Sequence, residues 1–309
     1  MLSYDKNNSL KGSIVNVASA EDYIELLKPR VMSLAIFTAI IGLLLAPGYI
    51  HPMLAIFSII AIGAGAGAAG AINMWYDHDI DSVMDRTKLR PLPSGRVLPQ
   101  EALSLGVILT FFSVLFLAIA SNYIAAFFLL LSILFYVFVY TIWLKRKTPQ
   151  NIVIGGAAGA LPPVIGWFAV STDFSIFPII LFSIIFLWTP PHFWALSLYR
   201  SGDYEKASVP MLPVIKGKKF TRLNILLYSF SLVFITPSLW YLNLLGVFYG
   251  ISSLVLSIIF VYYAFKVYLN EESAAPRLFK YSILYLFLVF LLFLLFLQVQ
   301  LKYQFLFFS

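Results

Sequence analysis

Nine long apolar runs, separated by short polar or turn-rich breaks, organise this chain of 309 residues. They cover about 31–47, 52–73, 101–120, 123–143, 150–170, 176–197, 223–242, 245–268 and 279–301. The runs are continuous rather than alternating, and each approaches the roughly 20 residues a helix needs to cross a hydrocarbon core. In lipid only helices or closed barrels satisfy every backbone group, so unbroken runs predict helices. The breaks hold Pro47-Gly48, Pro91-Leu92-Pro93, Ser121-Asn122, Pro149 and Ser171-Thr172-Asp173, all residues that end regular structure. The pattern predicts an all-α polytopic membrane protein. A single transmembrane domain, 23–303, is expected between a polar N-terminal tail, 1–22, and a short C-terminal tail, 304–309.

Composition supports the pattern. Hydrophobic residues make up 61% and charged residues 11%, against about 25% charged in soluble domains. There is no cysteine, which excludes disulfides, thiolate catalysis and Cys-ligated metals. The polar N-terminus is mixed in charge and not Arg-rich, so neither a secretory signal nor a transit peptide is expected, and the first run reads as a retained helix. Charge then orients the spans. With the N-terminus cytoplasmic, 20 of the 21 basic residues fall on inner connections, and only Lys302 does not. This is the bias that cytoplasmic loops carry. It accounts for the net charge of +7 without any nucleic-acid partner. Asp173 is the only acidic residue in an outer connection, and the two longest polar connections, 74–100 and 198–222, lie inside. Function is therefore expected on the cytoplasmic face.

The strongest chemical signal follows the second run. Asn73, Asp77, Asp81 and Asp85 stand four apart in NMWYDHDIDSVMDRT, a spacing that puts them on one helix face. Stacked carboxylates at a membrane boundary need a compensating charge, and an all-oxygen donor set suits Mg²⁺, which shares its sphere with phosphates. Four residues rise about 6 Å, so one ion cannot take all four groups. Asn73, Asp77 and Asp81 are the first candidates, and Asp79 faces elsewhere. The loop that follows carries Arg86, Lys88 and Arg90, made rigid by Pro91 and Pro93. Together with Lys28, Arg30 and Arg146 these are candidates for holding a diphosphate, although the positive-inside bias alone explains part of them. In the second inner loop, Asp203 is a candidate metal ligand facing the first group. The sixth run ends in WTPPHFW, where Pro190 and Pro191 are expected to kink or break the helix beside His192. His192, Tyr204 and His78 are candidates for haem contact or proton transfer.

These motifs resemble those of the UbiA-type intramembrane prenyltransferases, whose first signature is N-x-x-x-D-x-x-x-D. The segments TPQNIVIGGAAGALPPVIGW (148–167), LWTPPHFWAL (187–196) and DYEKASVPMLPV (203–214) are similar to a haem-directed branch of that family. The likeness extends over roughly 22–300. It implies nine helices around a central cavity, with Mg²⁺ as cofactor and farnesyl diphosphate, haem B and the lipid bilayer as partners. The reaction implied is Mg²⁺-assisted loss of diphosphate, capture of the farnesyl cation by a haem vinyl group, and addition of water. Matched residue by residue, Asn73, Asp77 and Asp81 fall on the first metal motif, Asp85 extends it, and Asp203 falls on a reduced second motif. Asp77, Asp81 and Asp203 are then the catalytic candidates. The chain departs from the family pattern at Ala207, where many members carry a further Asp, and at Gly202 and Ser208. The implied setting is a cell membrane, with haem-copper oxidase assembly proteins downstream. Two alternatives stand beside this reading: a prenyltransferase for a quinone precursor or glycerol phosphate, and a transporter using intramembrane carboxylates.

Overall fold

The computed structural model describes residues 18–307, and every regular element among them is helical. The expected N-terminal tail falls mostly outside this range. A short helix α1 (Ala20–Leu26) opens on Ser19, whose side chain and that of Asp22 cap each other's backbone. It meets α2 (Pro29–Leu45) at a bend of 56°. Lys28 sits at the bend in the left-handed region, φ 55°, an uncommon conformation for a side chain with a Cβ.

Among the described residues, eight helical spans are long and apolar enough to cross a membrane, and the bent α1–α2 pair makes a ninth candidate. The second run is α3 (Pro52–Tyr76), which is followed at once by a short α4 (His78–Val83). α5 (Pro99–Ala120) starts on Pro99, with Glu101 accepting from the Leu98 N–H. α6 (Tyr123–Leu134) is capped by Asn122, which accepts from Ile124 and Ala125. α6 continues without a break into a π-helix, Phe135–Leu144. The fifth run divides into α7 (Asn151–Gly159) and α8 (Pro162–Phe168) before its two prolines. α9 (Ile176–Tyr199) runs on through Pro190 and Pro191. The expected break is absent, and Trp188, Trp194, Ala195 and Leu196 around the prolines are all buried. α10 (Ser201–Lys206) and α11 (Leu212–Ile215) make up the second inner loop. α12 (Gly217–Ile235), α13 (Ser238–Tyr241), α14 (Val247–Tyr268) and α15 (Ala274–Phe307) complete the order. α15 passes the expected end of the last run and enters the segment expected as a C-terminal tail.

Neighbours in sequence pack as neighbours in space, and α15 returns against α2 to close the circuit. One apolar core joins α9, α12, α14 and α15 around Tyr249, Phe260, Tyr285, Phe290 and Phe293. The Tyr285 hydroxyl is satisfied there by Thr236 and Ser257. A second core joins α2, α3, α6 and α8. Between α2 and α8 the backbones nearly touch: a Cβ on Gly42 would strike the Pro163 backbone, and one on Gly166 the Ala39 carbonyl. Small residues permit such crossings, where lipid offers helices little other reason to associate. Gly155 on α7 meets the Tyr140 ring in this way, whereas Gly159, four residues on, faces open space.

Candidate active site

Asn73, Asp77 and Asp81 are all buried, although each lies at or just beyond the end of a membrane helix. α3 stops at Tyr76, and Asp77 (φ −94°, ψ 11°) serves as its C-cap. The turn stays nearly helical, because Asp77 N–H donates to the Asn73 carbonyl and Asp81 N–H to the Asp77 carbonyl. The four-residue spacing therefore survives the break as far as Asp81. α4 then ends, Met84 turns extended (ψ 128°), and the stripe is lost. Asp85 is exposed and pairs with Lys88 at 2.7 Å, with Lys206 at 3.8 Å.

Each buried polar group meets a basic side chain. Lys28 Nζ donates to Asn73 Oδ1 at 2.5 Å, so the strained residue at the α1–α2 bend reaches the centre of the site. Asn73 Nδ2 donates to Asp77 Oδ2 at 2.7 Å and to Thr141 Oγ1 at 3.0 Å. Lys145 Nζ donates to Asp77 Oδ2, and Arg90 Nη1 to Asp81 Oδ2 at 2.7 Å. Lys28, Lys145 and Arg90 thus face two carboxylates. Buried ion pairs of this kind seldom add stability, because desolvation offsets the attraction. Asp77 Oδ1 stays buried without a hydrogen bond, its nearest cation being Arg146 at 3.5 Å.

The π-helix places two of these partners. Lys145 N–H donates to the Tyr140 carbonyl and Thr141 Oγ1 to the Tyr136 carbonyl, both five residues back. The wider turn brings Thr141 and Lys145 onto the Asn73–Asp77 pair, and π-helical turns recur at functional sites. Lys145 and Thr141 were not among the sequence candidates. Lys145 lies in a Lys-Arg-Lys triplet that reads as a topogenic charge, and a lone threonine in an apolar run carries no signal. Asn151 was missed as well. It is fully buried, its Nδ2 donates to the Thr148 carbonyl at 2.7 Å, and its Oδ1 has no partner among the described residues.

The remaining candidates form a rim. Arg146 clasps Asp79 through two 2.7 Å hydrogen bonds, and its guanidinium lies 4.7 Å over the Tyr76 ring. Those bonds hold the Asp79 carboxyl down at about 2, and the hydrogen bond from Lys88 lowers that of Asp85. Asp203 lies close enough to Lys88 to help raise its amine above the ordinary lysine range, behind the larger effect of Asp85. Arg30 and Arg86 are exposed, with no ion pair among the described residues. Tyr204 is buried against Ile80, Met84, Val209 and Met211, which packs the second inner loop onto α4. His78 is exposed and caps the Trp75 carbonyl. His192 lies away from this group. Its ring stacks between Trp188 (4.3 Å) and Phe279 (4.7 Å), and Nδ1 bonds Ser282 Oγ at 2.6 Å. Among the described residues no three acidic or histidine side chains stand close enough to chelate one ion. The structure keeps Asn73, Asp77 and Asp81 together and leaves Asp85 and Asp203 at the rim.

This arrangement of buried Asn and Asp groups ringed by cations sits within a chain whose residues 35–294 match the model of the UbiA prenyltransferase family. The chain belongs to that family. Relatives named protoheme IX farnesyltransferase include one from Rhodopseudomonas palustris (strain BisB18), 58% identical over 88% of this chain and 89% of its own. Another, from Parvibaculum lavamentivorans, is 55% identical over 88% and 87%. Among solved structures, a digeranylgeranylglyceryl phosphate synthase superposes with TM-score 0.74 over 90% of this chain and 98% of its own, at 21% identity. A UbiA homologue from Archaeoglobus fulgidus bound to DMAPP and Mg²⁺ gives 0.66 over 87% and 99%, at 17% identity. The prenyltransferase thus shares its fold with distant members and most of its sequence with near ones.

Proposed function

We propose that this prenyltransferase moves the farnesyl group of farnesyl diphosphate onto a vinyl group of haem B, with addition of water and release of diphosphate. The observation that carries the reading is the 58% identity, over 88% of the chain, to the Rhodopseudomonas palustris protein of that name. The charge placement supports a cytoplasmic N-terminus and an active site at the cytoplasmic face of a cell membrane. Haem-copper oxidase assembly proteins are the consumers this product would have.

The residues fit a hard divalent cation. Asn73, Asp77 and Asp81 offer oxygen donors only, and Asp77 Oδ1 is a buried acceptor still without a hydrogen bond. Asn73, Asp77 and Asp81 would hold Mg²⁺, which when bound supplies positive charge to the departing diphosphate. The chain's own groups do the rest. The bond that breaks joins C1 of the farnesyl chain to the bridging oxygen, and both electrons leave with the oxygen. Lys28, Arg90 and Lys145 stand where that charge develops. In a buried site they act with little screening and need no reorganisation. Arg30, Arg86 and Lys88, exposed at the rim, would meet the diphosphate on entry, with Asp203 orienting Lys88. The allylic cation needs electron-rich walls, and Tyr136 and Tyr140, with rings 5.3 Å apart on the π-helix, offer π faces. The cation adds to the terminal vinyl carbon. The positive charge passes to the carbon next to the porphyrin, where water adds and loses a proton to leave a hydroxyl.

Incubating the purified protein with haem B, farnesyl diphosphate and Mg²⁺ and weighing the product tests the reading. The expected product is haem carrying one hydroxyethylfarnesyl side chain, with EDTA abolishing its formation and Mg²⁺ restoring it. Transfer to an aromatic acid or a glycerol phosphate, with haem untouched, would replace the acceptor. Turnover that persists in chelator would remove the metal.

A further inference from the structure

Away from the carboxylates, the inner end of the α9–α12–α14–α15 group borders an open cavity of about 520 Å³. Its walls include Leu198 and Tyr199 at the end of α9, Lys218 and Arg222 on α12, Val267 on α14 and Ala275 on α15. Lys218 and Arg222 are one helical turn apart and line the same cavity. Neither enters an ion pair among the described residues. The acidic groups present are Glu271 and Glu272. Glu271 is already held by Lys266 at 3.1 Å and by Arg277 at 3.4 Å, which leaves Glu272 against Lys218 and Arg222. Lys216, just before α12, and Lys219, between the pair in sequence, add positive charge nearby. The cavity therefore sets two cations against one carboxylate not already held in an ion pair, beside apolar walls of leucine, valine and alanine and the polar Asn270 and Ser273. Around it Phe220, Leu223, Tyr268 and Leu269 are exposed, as side chains are where acyl chains run past a membrane protein. A basic pocket between membrane helices on the cytoplasmic side is the form that takes an anionic headgroup.

We propose that this cavity binds the phosphate headgroup of an anionic glycerophospholipid, with Lys218 and Arg222 as the phosphate contacts and the acyl chains lying along the exposed apolar residues beside it. The assignment is independent of the transferase reading, because no residue of the carboxylate site takes part.

Native mass spectrometry of the purified protein in zwitterionic micelles tests it, with phosphatidylglycerol, phosphatidylcholine and inorganic phosphate as probes. Phosphatidylglycerol is expected to be retained in preference to phosphatidylcholine. The double variant Lys218→Gln/Arg222→Gln is expected to bind it about thirtyfold more weakly, each cation near an anionic surface being worth roughly a factor of five. Lys218→Arg/Arg222→Lys keeps the charge and is expected to keep the lipid. Product formation by both variants in zwitterionic micelles is expected to match the parent, which verifies the fold. Equal retention of the two lipids, or unchanged binding by the glutamine pair, would overturn the assignment. Displacement of the lipid by inorganic phosphate would overturn it in favour of a free-anion site.

Discussion

Lys145 shows what a carboxylate requires once it is buried. Asp77 is 1% exposed, and a charge there needs a partner at hydrogen-bond distance. Lys145→Gln removes that partner together with one cation proposed to face the leaving group. Turnover at saturating farnesyl diphosphate is expected to fall about 100-fold, and Lys145→Arg to retain more. Asp77→Asn is expected to abolish turnover while the protein still enters membranes. An unchanged kcat in either variant would remove that residue from the chemistry. Asp79 makes a separate test at the rim. Its carboxyl, ordinarily at 3.8, is held at about 2 by Arg146. A lowered value means the pair stabilises the fold above pH 3.8 and loses that contribution as pH falls through about 2. Asp79→Asn should therefore melt below the parent near neutral pH, with a gap that closes as pH approaches 2. Half-exposed, the pair is worth little, so the gap is expected to be small; a gap independent of pH would refute it. Spacing alone put Asn73, Asp77 and Asp81 on one face, and the backbone keeps that register as far as Asp81. Spacing failed at Asp85 because one extended residue, Met84, undoes a helical register. It could not reach Lys145, whose role depends on a π-turn that apolar residues do not announce.

Elements carry the same lesson in reverse. Long apolar runs are legible because the bilayer imposes their length, and the helices begin within six residues of the expected starts. Local punctuation was less dependable. Pro162 and Pro163 divide their run, whereas Pro190 and Pro191 leave α9 continuous. The glycines sort by what they meet. Gly166→Val would drive a side chain into the Ala39 backbone, at a cost of about 3 kcal/mol or more. Gly159→Ala meets nothing and is expected to stay within about 0.5 kcal/mol of the parent. Thermal unfolding in detergent separates the two, and equal melting temperatures would refute the α2–α8 contact as a determinant of stability.

At the scale of the molecule, a circuit of helices closed by α15 against α2 leaves its polar chemistry at one end. The proposed orientation places that end in the cytoplasm. Farnesyl diphosphate cannot cross a bilayer unaided, so inside-out vesicles are expected to consume it and intact right-side-out vesicles to leave it untouched. Consumption only by the right-side-out preparation would invert the topology. The circuit was legible as a count of runs, while the proposed orientation rests on the charge asymmetry alone. The way α10 and α11 fold down onto α4 through Tyr204 was not, since a lone tyrosine in a polar loop gives no hint of burial.

Three half-buried cations answer only two buried carboxylates at the centre of that end. Such a cradle does not distinguish an arriving pyrophosphate ester from the inorganic pyrophosphate it has just released. If the proposed diphosphate site is right, inorganic pyrophosphate is expected to compete with the isoprenoid donor, and to compete less once Lys145 is neutral. Where that by-product is not hydrolysed elsewhere in the cell, the lingering by-product rather than the acceptor would set the pace of turnover. Inhibition that is noncompetitive, or indifferent to Lys145→Gln, would show that the surplus charge serves some other end.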